Sequence, residues 1–218
     1  MAGLRERKRE RLRADVVRVA AELAAARPFG AIRVRDLARR LEISEATFFN
    51  HFPTKAHVLD AWLEDELANA FAGVVASTAP GRAPLRAAVR GLAERARRAS
   101  GLGAEAWRGA RAQRAAGAAA ERSALASALA RAAERGELRR DIDARELALV
   151  LAAAVACAIA HALAASDDAA RAAEPVGAAT DVPARALAAA DLVLDGASRR
   201  HERVRIGALA SPAAHARD

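Results

Sequence analysis

Tyrosine is absent, and the remaining aromatic side chains are five phenylalanines and two tryptophans in 218 residues. β-Branched residues are sparse as well, so little is present of what strands favour. This speaks against a β-sandwich or barrel, and an all-α chain is expected. There is one cysteine, Cys157, which excludes an intrachain disulfide and any zinc or iron–sulfur centre built on cysteines. No two histidines stand with carboxylates at metal-ligand spacing, so no metal and no other cofactor is expected. Residues 1–13 are polar and basic, without the apolar run of a secretory signal. A cytoplasmic protein is expected. Catalytic signatures are missing too. There is no Gly-x-Ser-x-Gly, no His-Glu-x-x-His, and no Gly-rich loop closing on Lys-Ser or Lys-Thr. Gly101-Leu102-Gly103 lacks a third glycine, and an enzyme is not expected.

Alanine is what the chain has in quantity, 66 of 218 residues. It is the strongest helix former and buries little area per residue. From Leu147 to Ala165 there are 19 residues without a charge, long enough to cross a bilayer. Ten of the 19 are alanine, and His161 lies among them. Small residues let helix backbones approach closely, so a buried core helix is expected here, not a membrane span. Basic residues outnumber acidic ones 35 to 27, a net charge of +8. That balance suits a polyanionic partner, nucleic acid or an anionic membrane, without choosing between them.

Apolar periodicity predicts a helix over 9–26, with Leu12, Val16, Val19 and Leu23 inward. A break at 27–30 precedes a short helix over 34–41, a turn at Glu42-Ile43, and a second short helix over 45–52 with Ser44 as N-cap. Thr54 is placed to cap the next helix, whose inward face carries Leu59, Trp62, Leu63, Leu67, Ala70, Phe71 and Val74. After a linker at 77–84, helices are predicted over 85–100 and 105–116, both arginine-rich and weakly amphipathic. Helices over 118–135 and 143–165 follow, then a loop over 166–182 and a last helix over 183–205. Asp143 and Glu146 form a capping-box-like pair.

A long helix followed by two short ones across a tight turn is a helix-turn-helix arrangement. Glu45, Ala46, Thr47, Asn50 and His51 would take the groove side of the second short helix. Phe48 and Phe52, four apart, would take its core side, with Phe48 against Val34, Leu37 and Leu41. The runs Val34-Arg35-Asp36-Leu37-Ala38, Leu41-Glu42-Ile43-Ser44 and Ala46-Thr47-Phe48-Phe49-Asn50-His51-Phe52-Pro53-Thr54-Lys55 resemble the TetR family of one-component transcriptional regulators. The family pattern there is V-R-D-I-A, then G-V-S-x-x-T-[LF]-[YF]-x-[YH]-F-x-[ST]-K. The resemblance covers residues 10–70, roughly the first third of the chain.

The resemblance implies an all-α homodimer. Its helix-turn-helix DNA-binding domain would occupy 10–70, with the helix-turn-helix at 33–52. A helical regulatory and dimerisation domain would occupy 84–205. The implied partners are a double-stranded DNA operator, an unidentified small-molecule effector, and a second copy held through the last two helices. The implied DNA-contacting set is Arg33, Val34, Arg35, Ser44, Glu45, Ala46, Thr47, Phe49, Asn50, His51 and Lys55. Within it Thr47, His51 and Lys55 would meet phosphates, and Glu45, Ala46 and Asn50 would face the groove. An effector pocket would draw on Trp62, Phe71, Trp107, Arg111 and His161. Four of the five also have a plainer reading: core packing for Trp62 and Trp107, a solvated face for Arg111 (and for Arg114 beside it), a core or dimer-interface position for His161.

Four residues depart from the pattern. Phe49 replaces a common tyrosine and loses a hydrogen-bond donor. Arg33 stands where a Ser or Thr usually caps. Pro28 and Glu42 stand where glycines are usual, and a left-handed backbone at Glu42 would carry about 1–2 kcal/mol of strain. The basic arm at 5–13, six cations against Glu6 and Glu10, either follows DNA or is a disordered, solvated segment. The expected function is a ligand-responsive repressor. The alternative is a helical small-molecule or lipid carrier, which leaves the run from Thr47 to Lys55 without an explanation.

Overall fold

Apolar stripes at helical spacing fold the chain into ten α-helices among the residues described by the computed structural model, 3–77, 79, 81–107, 111–122, 125–172 and 181–198. Helix α1 (Leu4–Ala24) buries Val16, Val17, Val19, Ala20 and Ala24. It begins five residues before the predicted start, so the basic arm is the exposed first part of a helix and not an extended tail. Arg13 leaves that cationic row altogether: its guanidinium donates to Glu64 at 2.6 Å and Asp65 at 3.1 Å. A 3-10 turn (Phe29–Ala31) leads to α2 (Val34–Arg40) and α3 (Glu45–His51). Glu42, in the turn between them, has φ 55°, the left-handed conformation that glycine would take without a Cβ clash.

Helix α4 (His57–Ala76) starts three residues after Thr54. The Thr54 hydroxyl lies 2.9 Å from His57 Nδ1, so it does not act as the predicted N-cap. Leu59, Leu63, Leu67 and Phe71 form its buried face as expected, with Trp62 and Val74 half-buried beside them. The buried cluster runs unbroken from α1 through α4 into the C-terminal helices.

Helix α5 (Ala83–Arg98) is more amphipathic than its arginine content suggests. Leu85, Val89, Leu92, Ala93 and Ala96 are buried along one stripe. The helix predicted over 105–116 is divided. Helix α6 (Gly101–Ala106) ends at Trp107, and α7 (Arg111–Arg122) follows, with 108–110 outside the described residues. The helix predicted over 118–135 is described as the last part of α7, to Arg122, and as α8 (Leu125–Glu134), with 123–124 outside the described residues. Ala115, Ala116, Ala119 and Ala120 are buried, as are Leu125 and Leu129.

Gly136 ends α8 with φ 80°. Glu137 N–H reaches the Ala132 carbonyl and Gly136 N–H reaches Ala133, both at 3.0 Å, a Schellman closure. Asp143 then caps α9 (Ala144–Ala172) through the amides of Arg145 and Glu146, at 2.8 and 3.0 Å. The first part of the predicted loop, 166–172, is helical instead. Ser166 Oγ donates back to the Ala162 carbonyl at 2.9 Å, and the helix continues past it. The rest of that predicted loop, 173–180, lies outside the described residues. Asp181 caps α10 (Val182–Ala197) by accepting from Ala184 N–H at 3.0 Å. The helix predicted to run on to 205 is interrupted at Ser198, which turns extended and bridges to Leu138; residues 199–205 lie outside the described residues.

Helix α9 is long and apolar enough to cross a membrane by length and composition. It packs on α7, α8 and α10, and Leu151, Val155 and Ile159 are fully buried, as expected of a core helix.

Candidate nucleic-acid interface

The DNA-reading candidate, α3, is held from beneath by its aromatics. Phe48 is fully buried and stacks on Phe52, with centroids 5.4 Å apart. Phe49 meets Phe48 edge-on at 5.5 Å but is 45% exposed. Ser44 caps the helix as expected, accepting from Thr47 N–H at 2.9 Å, and the two hydroxyls lie 2.8 Å apart. Thr47 is therefore half-buried and engaged in the cap. Glu45, Ala46, Phe49 and Asn50 are exposed together on the outer face, while His51 is half-buried at its end.

Arg33 and Arg35 are exposed at the start of α2, and Val34 is half-buried between them. The Arg33 side chain has no acceptor and cannot cap. Asp36 compensates: its carboxylate accepts the Arg33 N–H at 3.1 Å and the Arg27 guanidinium at 2.9 Å. The backbone hydrogen bond from Arg33 first, and the Arg27 charge with it, hold the Asp36 carboxyl below the usual carboxylate range. Two exposed cations that sequence reasoning passes over, Arg39 and Arg40, close the same helix.

Lys55 departs from expectation. Its ammonium donates to the carbonyls of Phe29, Gly30 and Ile32 at 2.9, 3.0 and 2.9 Å. It also sits 4.8 Å from the centre of the Phe29 ring. An ammonium has three protons, and three carbonyls take them. A phosphate contact by Lys55 does not fit this geometry. The lysine instead ties the start of α4 to the turn between α1 and α2. No sequence pattern marks the role, because the acceptors are backbone carbonyls.

The pocket candidates scatter. Trp62 packs on Gly103, where a Cβ would come within 2.9 Å of its ring. Phe71 is fully buried, and these two line neither of the two described cavities. Trp107 is 2% exposed and closes α6, whereas Arg111 and Arg114 belong to α7; it lines the smaller cavity, about 280 Å³, with Leu163 and Asp167. The Arg111 side chain lies outside the described residues. Arg114 reaches Asp60 of α4 at 3.7 Å. His161 is exposed on α9, on the stripe of Val150, Ala154 and Cys157, away from both cavities. The larger cavity, about 740 Å³, opens between the end of α4, the start of α5, the length of α8 and the end of α10, and Trp62, Phe71, Trp107 and His161 do not line it.

Residues 16–62 match the family model for bacterial regulatory proteins of the tetR family. No curated protein matches the chain significantly. Among solved structures, FadR of Thermus thermophilus, a TetR-family transcriptional repressor in complex with lauroyl-CoA, superposes with a TM-score of 0.65 at 24% identity, over 88% of this chain and 97% of that one. RolR in complex with resorcinol superposes with a TM-score of 0.53 at 20% identity, over 88% and 96% of the two chains.

Proposed function

We propose that this chain, whose N-terminal domain belongs to the TetR family of bacterial regulatory proteins, is a cytoplasmic, ligand-responsive repressor that binds a pseudo-palindromic operator as a homodimer. The observation that carries the reading is the outer face of α3. Glu45, Ala46, Phe49 and Asn50 stand exposed on a helix fixed by a buried Phe48 and a serine cap, flanked by the exposed Arg33, Arg35, Arg39 and Arg40. A rigid short helix presenting mixed side chains beside cations is what major-groove reading requires. In this role Glu45, Ala46 and Asn50 face bases, and Arg33, Arg35 and His51 meet the phosphate backbone.

Dimerisation would use α9 and α10. Leu149, Val150 and Leu192 are 47, 53 and 76% exposed there, large apolar side chains that a partner copy would cover. Two α3 helices would then sit one turn of DNA apart, about 34–36 Å. The FadR and RolR structures hold small organic ligands, which supports an effector for this chain without identifying it.

The test is selection from a random duplex library across a salt series, followed by sequencing of the bound fraction. The proposal expects enrichment of a palindrome with half-sites about one turn apart. Sequence-independent binding that vanishes by physiological salt would overturn it.

A further inference from the structure

The 740 Å³ cavity lies at the end of α4 remote from α3, within the range of about 300–1,000 Å³ that small-molecule sites occupy. Its floor is apolar: Leu85 of α5, Leu125 and Leu129 of α8, Leu194 of α10 and Leu138 of the segment between α8 and α9 line it, and all five are buried. The charged side chains that line it are unequal in sign. Among the described residues, Arg82, Arg131 and Arg135 stand against a single carboxylate, Glu137. Glu137 is engaged already, accepting from Arg135 at 2.6 Å, and that hydrogen bond holds its carboxyl below the usual range. Arg82 donates to Asp195 at 2.6 Å and to Ser198 Oγ, at the end of α10. A leucine floor asks for a hydrocarbon body. Guanidiniums at the rim ask for an oxyanion, which they bind in a planar fork.

We propose that this cavity is the effector site and that it takes an amphipathic carboxylate, its apolar chain among the leucines and its head group between Arg82 and Arg135. This rests on the reading of the chain as a ligand-responsive regulator. The head group would compete with Asp195 and Ser198 for Arg82 and with Glu137 for Arg135, and so act on the hold between α5 and α10. Arg86 makes a second link across the same pair of helices to Asp191, which keeps them paired when Arg82 is drawn away.

The test is calorimetric titration of the full-length protein with decanoate, decan-1-ol and decyltrimethylammonium, with thermal melts of every variant. Decanoate is expected to bind saturably, at least tenfold tighter than the alcohol, and the cation not at all. Arg135→Gln and Arg82→Gln should each bring decanoate down to the affinity of the alcohol. Arg135→Gln leaves the Arg82 clasp intact, so it tests the site even where Arg82→Gln unfolds. Ala132→Phe, which fills the cavity from α8, should abolish binding of both ligands. Equal affinity for decanoate and decanol, no saturable binding, or indifference to Arg135→Gln would overturn the proposal. The operator assay separates the two readings. Decanoate that binds through Arg135 without changing operator affinity upholds the carboxylate site but overturns its effector role, whereas failure to select any operator leaves the titration to judge the site by itself.

Discussion

Replacing Lys55 by methionine keeps most of the hydrocarbon stem and removes the ammonium. Three carbonyls of the turn at 29–32 then lose their shared donor. A hydrogen bond to a charged group contributes about 1.5–3 kcal/mol, but the three cannot simply be added. Lys55 is half-buried, so water replaces part of what is lost, and the Phe29 carbonyl keeps the N–H of Ile32 at 3.1 Å. A net loss of about 2–4 kcal/mol follows, or roughly 5–15 °C in the melting of a chain this size. The assay is thermal unfolding of the DNA-free protein, paired with a salt series of DNA binding. A lysine that acted only on a phosphate would leave the melt unchanged and reduce the salt slope by about one. The geometry requires the opposite: a lower melting temperature and an unchanged slope, with DNA affinity falling because α4 no longer anchors the turn. Lys55→Arg should not rescue it, since a planar fork cannot meet three carbonyls that converge on a point. A melt within about 1 °C of wild type would refute the argument.

Glu42→Gly should stabilise the protein by about 0.5–1 kcal/mol, because φ 55° carries a Cβ penalty that glycine lacks; a destabilised variant in urea unfolding would show that the Glu42 side chain contributes something else. Gly101→Ala should cost at least about 2 kcal/mol, since φ is 54° and the new Cβ would lie 2.5 Å from the Ala24 carbonyl of α1. Gly73→Ala on α4 has nothing within 4 Å of the new Cβ and should gain about 0.5–1 kcal/mol, so equal melts for the two would discredit the close approach of α6 to α1. Asp36 has its carboxyl lowered in the folded state, so its contribution is present above its unfolded value and is lost as pH falls through the lowered folded one. Asp36→Asn should therefore flatten the acid limb of the stability profile, below about pH 4, and an acid limb identical to wild type would remove Asp36 from the linkage.

The N-terminal helices are legible in the sequence because each rests on a local rule. Ser44 caps through a bond to a residue three positions on, Phe48 and Phe52 share a helix face by spacing alone, and the turn at Glu42 announces itself by standing where glycine is usual. Lys55 is illegible for the opposite reason. Its partners are carbonyls 23 to 26 residues away, and a carbonyl leaves no mark on a sequence. Arg13 is a related case. Counted by composition as one more cation of a basic arm, it is neutralised by Glu64 and Asp65 across the α1–α4 contact.

The C-terminal half is harder to read because alanine blurs periodicity. With alanines on every face, the end of α6 carries almost no contrast, and sequence alone points to a pocket where large side chains stand out, at Trp62, Phe71 and Trp107. Those side chains are large, and large side chains fill space: Phe71 and Trp107 are buried, and Trp62 closes on Gly103. The cavity lies instead where leucines from several elements meet a rim of arginines. None of those leucines is distinctive by itself, and arginine is too common in this chain to draw notice. What makes them a candidate site is convergence, with α5 and α10 brought together by Arg82–Asp195 and Arg86–Asp191 across more than a hundred residues. A clasp between helices so distant in sequence gives a bound anion direct purchase on α10, whose exposed Leu192 belongs to the proposed dimer face. In this chain the shorter route from effector to operator spacing would therefore run through the clasp and the dimer, with α4 following.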